Sequence, residues 1–281
     1  MPKSLTDAQC TAYARDGYLA PLDVADEHEA ASWRAIYNRL VARDGGRLSR
    51  ATNSRPYLLV TALDRLIRDP RILDPVEDLI GGDILCWAGG FFAKEPHDGS
   101  FISWHQDATY WGLSSHDIVT AWLAFSPSTP ESGCMRVIPG THRTQVAHAE
   151  TSNEKNLLSR GQEIAVTVNE ADAVDIVLRP GQMSLHHVLI FHGSSPNVSD
   201  DARIGFAIRY IPTHLRQLAP VRDCATLVRG EDRFGHFDLL PPPTADFSPE
   251  AVALHRAVTE RHYAVIYAGS KRRPPAATRS R

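Results

Sequence analysis

Apolar positions along the chain follow helical spacing first and strand spacing later, and the change falls near residue 83. Between Asp26 and Val41, Ala30, Trp33, Ile36, Tyr37 and Leu40 recur every three or four residues, the stripe of an amphipathic helix, and Asp44-Gly45-Gly46 closes it. A shorter helix is expected from a Ser4 or Thr6 cap to about Arg15, stopped by Gly17, with Tyr18 to Val24 as a first strand. Residues 59–68 and 71–80 read as two more helices with Pro70 between them and Gly81-Gly82 after the second.

From Asp83 onward the chain carries short β-rich runs separated by Pro, Gly, Ser and Asn clusters. Strands are expected at residues 84–87, 90–94, 102–108, 118–125, 135–138, 163–168, 174–178, 183–190 and 203–211. The last of these alternates cleanly. Ile204, Phe206, Ile208 and Tyr210 share one face; Arg203, Gly205, Ala207 and Arg209 share the other. Two arginines beside two minimal side chains describe the wall of a cavity rather than packed core. After Pro212 the chain turns loop-rich, with Pro241-Pro242-Pro243, then a helix from Pro249 to about Ala268. The expected organisation is one domain spanning residues 1–281. Within it, residues 1–82 are helical, 83–212 form a β core, 213–268 hold C-terminal loops and a helix, and 269–281 make a basic tail. The fold class is mainly β with flanking helices, a barrel or sandwich.

Composition narrows the partners. The 281 residues carry a net charge of −3, with 43% hydrophobic and 22% charged residues, so no global field draws the chain to nucleic acid or an anionic membrane. No run approaches the length of a membrane span, and the first residues lack the apolar core of a secretion signal. Cys10, Cys86, Cys134 and Cys224 are scattered without C-x-x-C spacing, which suits a reducing compartment. A cytoplasmic protein, monomer or homodimer, acting on a small molecule is the expectation.

The chemistry is concentrated in two stretches. In Trp104-His105-Gln106-Asp107, an extended backbone would point His105 and Asp107 to the same face, an imidazole beside a carboxylate. His-x-Asp occurs often by chance, so the pair needs a third member. Phe191-His192-Gly193-Ser194-Ser195-Pro196-Asn197 offers one, and Arg203 follows His192 by eleven residues. Two histidines and one carboxylate bind one face of a metal and leave three positions open, the pattern of non-haem Fe(II) oxygenases. An arginine on the next strand can hold a co-substrate carboxylate through a bidentate pair.

Trp104-His-Gln-Asp107, Gly133-Cys-Met-Arg-Val-Ile-Pro-Gly-Thr-His142 and Gly181-Gln-Met-Ser-Leu-His-His-Val-Leu-Ile-Phe-His-Gly-Ser-Ser-Pro-Asn197 together resemble the phytanoyl-CoA dioxygenase family. Arg203 to Tyr210 resembles its following strand, and Leu5-Thr-Asp with Arg15-Asp-Gly-Tyr18 its opening helix, so the likeness covers about residues 5 to 212. The resemblance implies a double-stranded β-helix, or cupin-like jelly roll, with flanking helices. It implies Fe(II) on His105, Asp107 and His192, and 2-oxoglutarate held by Arg203 with Ser194 and Trp122 nearby. O2 would be consumed and succinate and CO2 released. Asp107 stands where related halogenases have a small residue, so oxygenation or oxidative cyclisation is implied, not halogenation.

Substrate contacts are expected from Lys94, Tyr110, Trp111, His187 and Arg209. His186 and His187 are adjacent and would point to opposite faces of a strand, so at most one shares the cavity, and His187, five residues before His192, is preferred. The substrate is expected to be small and polar, since no strongly cationic region suits the phosphates of CoA, and natural-product (antibiotic) biosynthesis is the favoured setting. The competing readings are a catabolic dioxygenase for an alkylphosphonate or acyl-CoA, a cupin-like metal isomerase, and a non-catalytic binding barrel. Cupins usually show His-x-His, then Glu and a further His, unlike the pattern here.

Overall fold

The computed structural model describes residues 2–151, 153–158 and 161–267. The N-terminal third is helical: α1 (Asp7–Asp16), α2 (Glu27–Arg43), the short α3 (Arg50–Asn53), α4 (Thr61–Ile67) and α5 (Pro70–Ile80). Thr6 and Gln9 close a capping box at the start of α1, and Gly17 ends it at φ 83°, a left-handed conformation that costs a glycine least. The buried face of α2 is Ala30, Trp33, Ile36, Tyr37 and Leu40, the five residues of the sequence stripe. Pro70 starts α5 instead of separating two helices. Its missing N–H falls where a helix has no acceptor for one, and Asp69 caps the turn.

Thirteen strands are described: β1 (Tyr18–Asp23), β2 (Ile84–Lys94), β3 (Ile102–His105), β4 (Val119–Ala124), β5 (Met135–Ile138), β6 (His148–Glu150), β7 (Gln162–Ile164), β8 (Val174–Ile176), β9 (Gln182–His187), β10 (Phe191–Ser194), β11 (Arg203–Pro212), β12 (Cys224–Arg229) and β13 (Asp238–Leu239). They form a large sheet ordered β1-β9-β4-β11-β2-β12-β13, a small sheet β3-β10-β5-β8, and the separate pair β6-β7. From β2 to β11, leaving out that pair, the chain visits large, small, large, small, small, large, small and large sheet. That order winds a double-stranded β-helix. The two sheets share no strand, so the jelly roll is a flattened sandwich and not a hydrogen-bonded closed barrel. Helix α6 (Pro249–Ile266) follows; the basic tail expected at 269–281 lies outside the described residues. Among the described residues no helix is long and apolar enough to cross a membrane.

Strand parity divides the large sheet between two environments. Val119, Ala121, Leu123, Met183, Leu185, Ile204, Phe206, Ile208 and Tyr210 pack outward into one apolar cluster with α2, α4 and α5. The alternate residues of the same strands face the small sheet. The expected break at residues 88–89 does not occur, and β2 runs through it. A Cβ on Gly90 would lie 2.6 Å from the Asn53 carbonyl, so glycine admits α3 there, and Asn53 takes the backbone N–H and C=O of Phe91 in exchange. The strand expected at 183–190 instead turns at Val188 to Ile190 and crosses between sheets as β9 and β10. Strands β6, β12 and β13 lie in stretches read as loop.

Candidate active site

Between the sheets lies a cavity of about 410 Å³ that opens to solvent. Residues far apart in the chain meet there because β3 and β10 are neighbours and pair His105 with His192 directly. Their rings lie 4.0 Å apart, centroid to centroid. His105 Nδ1 is 2.9 Å from the Ser103 carbonyl and His192 Nδ1 is 3.0 Å from the Ile190 carbonyl. A carbonyl only accepts, so each Nδ1 carries the proton and each Nε2 keeps its lone pair for a third party.

Asp107 arrives by a route that alternation did not anticipate. The strand ends at His105, and Asp107 opens a 3₁₀ turn (Asp107–Tyr110). The N–H groups of Asp107 and Ala108 both donate to the Val188 carbonyl, at 3.0 and 3.3 Å. This turn swings the carboxylate back until Oδ1 is 3.4 Å from His105 Nε2. One donor atom each from His105, Asp107 and His192 lies within 4.8 Å of the others, all three residues buried.

The charges suit a cation. Burial works against the Asp107 carboxylate, yet the nearby His105, His192 and Arg209 hold it below the usual carboxylate range. Burial drives the His192 imidazole well below its ordinary value, so it is neutral, as a ligand must be. Two imidazoles with their distal nitrogens fixed on carbonyls, and one ionised carboxylate, form a donor set that fits a divalent metal.

Two residues that sequence reading passed over hold this turn in place. Gln106 is fully buried; its Nε2 donates to the Leu189 and Thr144 carbonyls at 2.6 and 2.8 Å, and its Oε1 accepts from Val146 N–H at 2.8 Å. His148 accepts from Gln106 N–H at 2.9 Å and contacts Thr109 Oγ1 at 3.0 Å. Gln106→Leu would strand the buried Leu189 carbonyl and the partly buried Thr144 carbonyl and Val146 N–H, and is expected to cost about 3 kcal/mol. Thermal unfolding checks this, with a midpoint lower by roughly 6 to 12 degrees. Its only sequence signal is position, between two candidate ligands.

At one end of the cavity stands Arg203, 1% exposed. Burial pushes its guanidinium down to about 10. Nε and Nη2, the two N–H groups of its side-on fork, have no hydrogen-bond partner among the described residues. Its carbon centre lies 5.2 Å from the Trp122 ring. That ring occupies the space of the missing side chain at Gly205, where a Cβ would come within 1.9 Å of it. Ser194 is next to this end. Lys94 Nζ donates to Ser194 Oγ at 2.7 Å, which leaves the serine hydroxyl hydrogen for another acceptor. A buried, unpartnered fork with a hydroxyl beside it fits a ligand carboxylate.

Of the expected substrate contacts, Arg209 lines the cavity and four others do not. Lys94 is wholly buried behind Ser194, and its three donors go to Ser194 Oγ, the Gly133 carbonyl at 3.2 Å and the Ser195 carbonyl. Trp111 belongs to a second apolar cluster, its ring 5.0 Å from that of Trp87. Tyr110 is half-buried beside His148, ring centroids 6.3 Å apart. His187 faces away, against His142, and the residue in the cavity is His186. Met183 and Leu185 face outward, so alternation along β9 puts His187 on their side and His186 in the cavity. Thr120, Phe92, Ile102 and Met135 complete a lining that no motif announced.

A family model described as "Phytanoyl-CoA dioxygenase (PhyH)" matches residues 13–205. A probable alpha-ketoglutarate-dependent hypophosphite dioxygenase of Stutzerimonas stutzeri is 28% identical over 159 residues, 55% of this chain and 54% of that protein. The chain thus spans about half the length of the first curated relatives it matches. The solved non-heme monooxygenase ThoJ, in its apo form, is 33% identical with a TM-score of 0.84, covering 94% of this chain and 100% of that one. The alpha ketoglutarate dependent carbocyclase SnoK from nogalamycin biosynthesis shares the fold, at 22% identity and a TM-score of 0.60 over 87% of this chain and 96% of its own.

Proposed function

Because the chain belongs to the phytanoyl-CoA dioxygenase family, whose model covers residues 13–205, we propose that it is an Fe(II)- and 2-oxoglutarate-dependent oxygenase that hydroxylates or oxidatively cyclises a small polar molecule. The observation that carries this reading is the buried cluster of His105, Asp107 and His192 in the same cavity as the unpartnered fork of Arg203. Iron with 2-oxoglutarate would supply the oxidising power, converting the co-substrate and O2 to succinate and CO2 while an oxidising equivalent goes to the substrate.

The chain's own residues supply position and dryness. His105 and His192, fixed by Ser103 and Ile190, would give two nitrogens, and Asp107, fixed by Val188, one oxygen. Three ligands on one side leave the cavity side for co-substrate and O2. Arg203 and the Ser194 hydroxyl would hold the far carboxylate of 2-oxoglutarate, while Trp122 keeps the guanidinium in place from its other side. Ile102, Met135 and Phe92 line the cavity with apolar surface, which limits water around the reacting carbon.

The finer reading is a tailoring step in natural-product assembly. A cavity that sets two arginines among apolar walls suits it, and a carbocyclase of nogalamycin biosynthesis works on the same fold, an analogy that rests on fold. A metal isomerase that does not use 2-oxoglutarate would have no occupant for the buried fork of Arg203. Succinate release from 2-oxoglutarate under air tests the proposal. It is expected with Fe(II) and ascorbate, alone at a low rate and faster with an accepted substrate. No succinate, with any member of a panel of amino acids, alkylphosphonates and acyl-CoA thioesters, would leave only the binding reading.

A further inference from the structure

One cross-strand row of the large sheet is left over once the metal ligands and Arg203 are assigned. On the adjacent strands β9, β4 and β11, His186 pairs with Thr120 and Thr120 with Arg209. Directly opposed residues point to the same sheet face, and all three line the cavity. Each keeps a buried polar atom without a hydrogen-bond partner: His186 Nδ1, Thr120 Oγ1 and Arg209 Nε. His186 and Thr120 are 2% and 1% exposed. Three orphaned polar atoms in one row are costly unless a ligand meets them.

Arg209 gives the row its charge. Its guanidinium lies 5.3 Å from the Phe92 ring and 5.8 Å from the Trp111 ring, so both rings flank it. Its one internal bond is long, Nη1 to the Ala207 carbonyl at 3.5 Å. Among the described residues no carboxylate lies within ion-pair distance of it; Asp107 is turned to His105. Arg203 sits at the far end of the same strand, about 20 Å away along the backbone at roughly 3.3 Å per residue. The cavity therefore has a guanidinium at each end and the histidine–aspartate cluster between them.

Building on the oxygenase reading, we propose that the row of His186, Thr120 and Arg209 is the substrate subsite, and that it takes an oxyanion, a carboxylate or phosphonate carried by the substrate. Arg209 supplies the charge-assisted donor and Thr120 and His186 a second and third hydrogen bond. The substrate's anionic end is thus held away from Arg203, so its reactive carbon is presented toward the cluster and does not compete with 2-oxoglutarate. This narrows "small and polar" to small and anionic.

Calorimetric titration of the full chain, loaded with Ni(II) and saturated with 2-oxoglutarate, tests it without turnover. The probes are butyrate, methylphosphonate and the neutral butyramide. Saturable binding of either anion, at least ten-fold tighter than the amide, is expected, and butyrate against methylphosphonate distinguishes the two classes. Arg209→Gln is expected to lose ten-fold or more in anion affinity while binding 2-oxoglutarate within three-fold of the parent. Should that variant fail to bind 2-oxoglutarate, Arg209→Lys serves, retaining the charge but not the fork. Anions bound no better than butyramide, or equally well by both Arg209 variants, overturn the subsite while the oxygenase reading stands. Failure of the parent chain to bind 2-oxoglutarate overturns both.

Discussion

Replacing His105 or Asp107 with alanine is expected to abolish iron binding and, with it, succinate release. Even changes to groups that only orient a metal's ligands typically cost 10- to 100-fold in affinity, so loss of a ligand should exceed about a hundred-fold. The two residues fail differently in detail. His105→Ala removes an imidazole donor held on Ser103, whereas Asp107→Ala removes the only carboxylate of the cluster. Anaerobic equilibrium dialysis checks both, with one iron per parent chain and none in the variants. Thermal unfolding offers a second view. A ligand at a hundred times its Kd stabilises the folded state by about 2.7 kcal/mol, an increment the parent should show and the variants lack. His142→Ala, a change outside the cavity lining, should bind metal like the parent. Iron retained by Asp107→Ala would remove the carboxylate from the ligand set.

Arg203→Ala is expected to raise the 2-oxoglutarate requirement by about two orders of magnitude. Each charge-assisted hydrogen bond contributes about 1.5 to 3 kcal/mol, and the unpartnered fork offers two. A loss near 3 kcal/mol corresponds to about a hundred-fold in Kd. The rate at saturating 2-oxoglutarate should change much less, because the lost contact is with a region of the co-substrate remote from the metal. Arg203→Lys should recover only a fraction, since an ammonium is a point charge where a planar fork is needed. Steady-state titration of 2-oxoglutarate separates the two parameters; an unchanged requirement would take the co-substrate role from Arg203.

Legibility followed the range of the forces involved. Periodicity gave the buried face of α2 residue by residue, and the alternation of β11 placed Arg203, Ala207 and Arg209 on the cavity wall, because both patterns record which side faces apolar neighbours. The ligand residues could be named because His105, Asp107, His192 and Arg203 keep a recognisable spacing. How they meet was hidden. Asp107 reads as strand until the Val188 carbonyl, 81 positions on, takes its N–H. The same turn at 188–190 separates β9 from β10, and His187 was the wrong choice because β9 turns Met183, Leu185 and His187 away from the cavity and His186 into it. Lys94 looked like a ligand for an anion because its three acceptors, at Gly133, Ser194 and Ser195, come from distant stretches of the chain. The His186–Thr120–Arg209 row exists only once β9, β4 and β11 are adjacent, a neighbourhood that no single segment encodes.

The central claim is that one metal sits on three named side chains with a co-substrate carboxylate on Arg203. A crystal structure of the chain soaked with Ni(II) and 2-oxoglutarate tests it most directly, the metal located by its anomalous signal. The account predicts metal at about 2.1 Å from His105 Nε2, His192 Nε2 and an Asp107 oxygen, with the far carboxylate on the Nε and Nη2 of Arg203. A metal bound elsewhere, or 2-oxoglutarate seated on Arg209 with Arg203 still unpartnered, would contradict it.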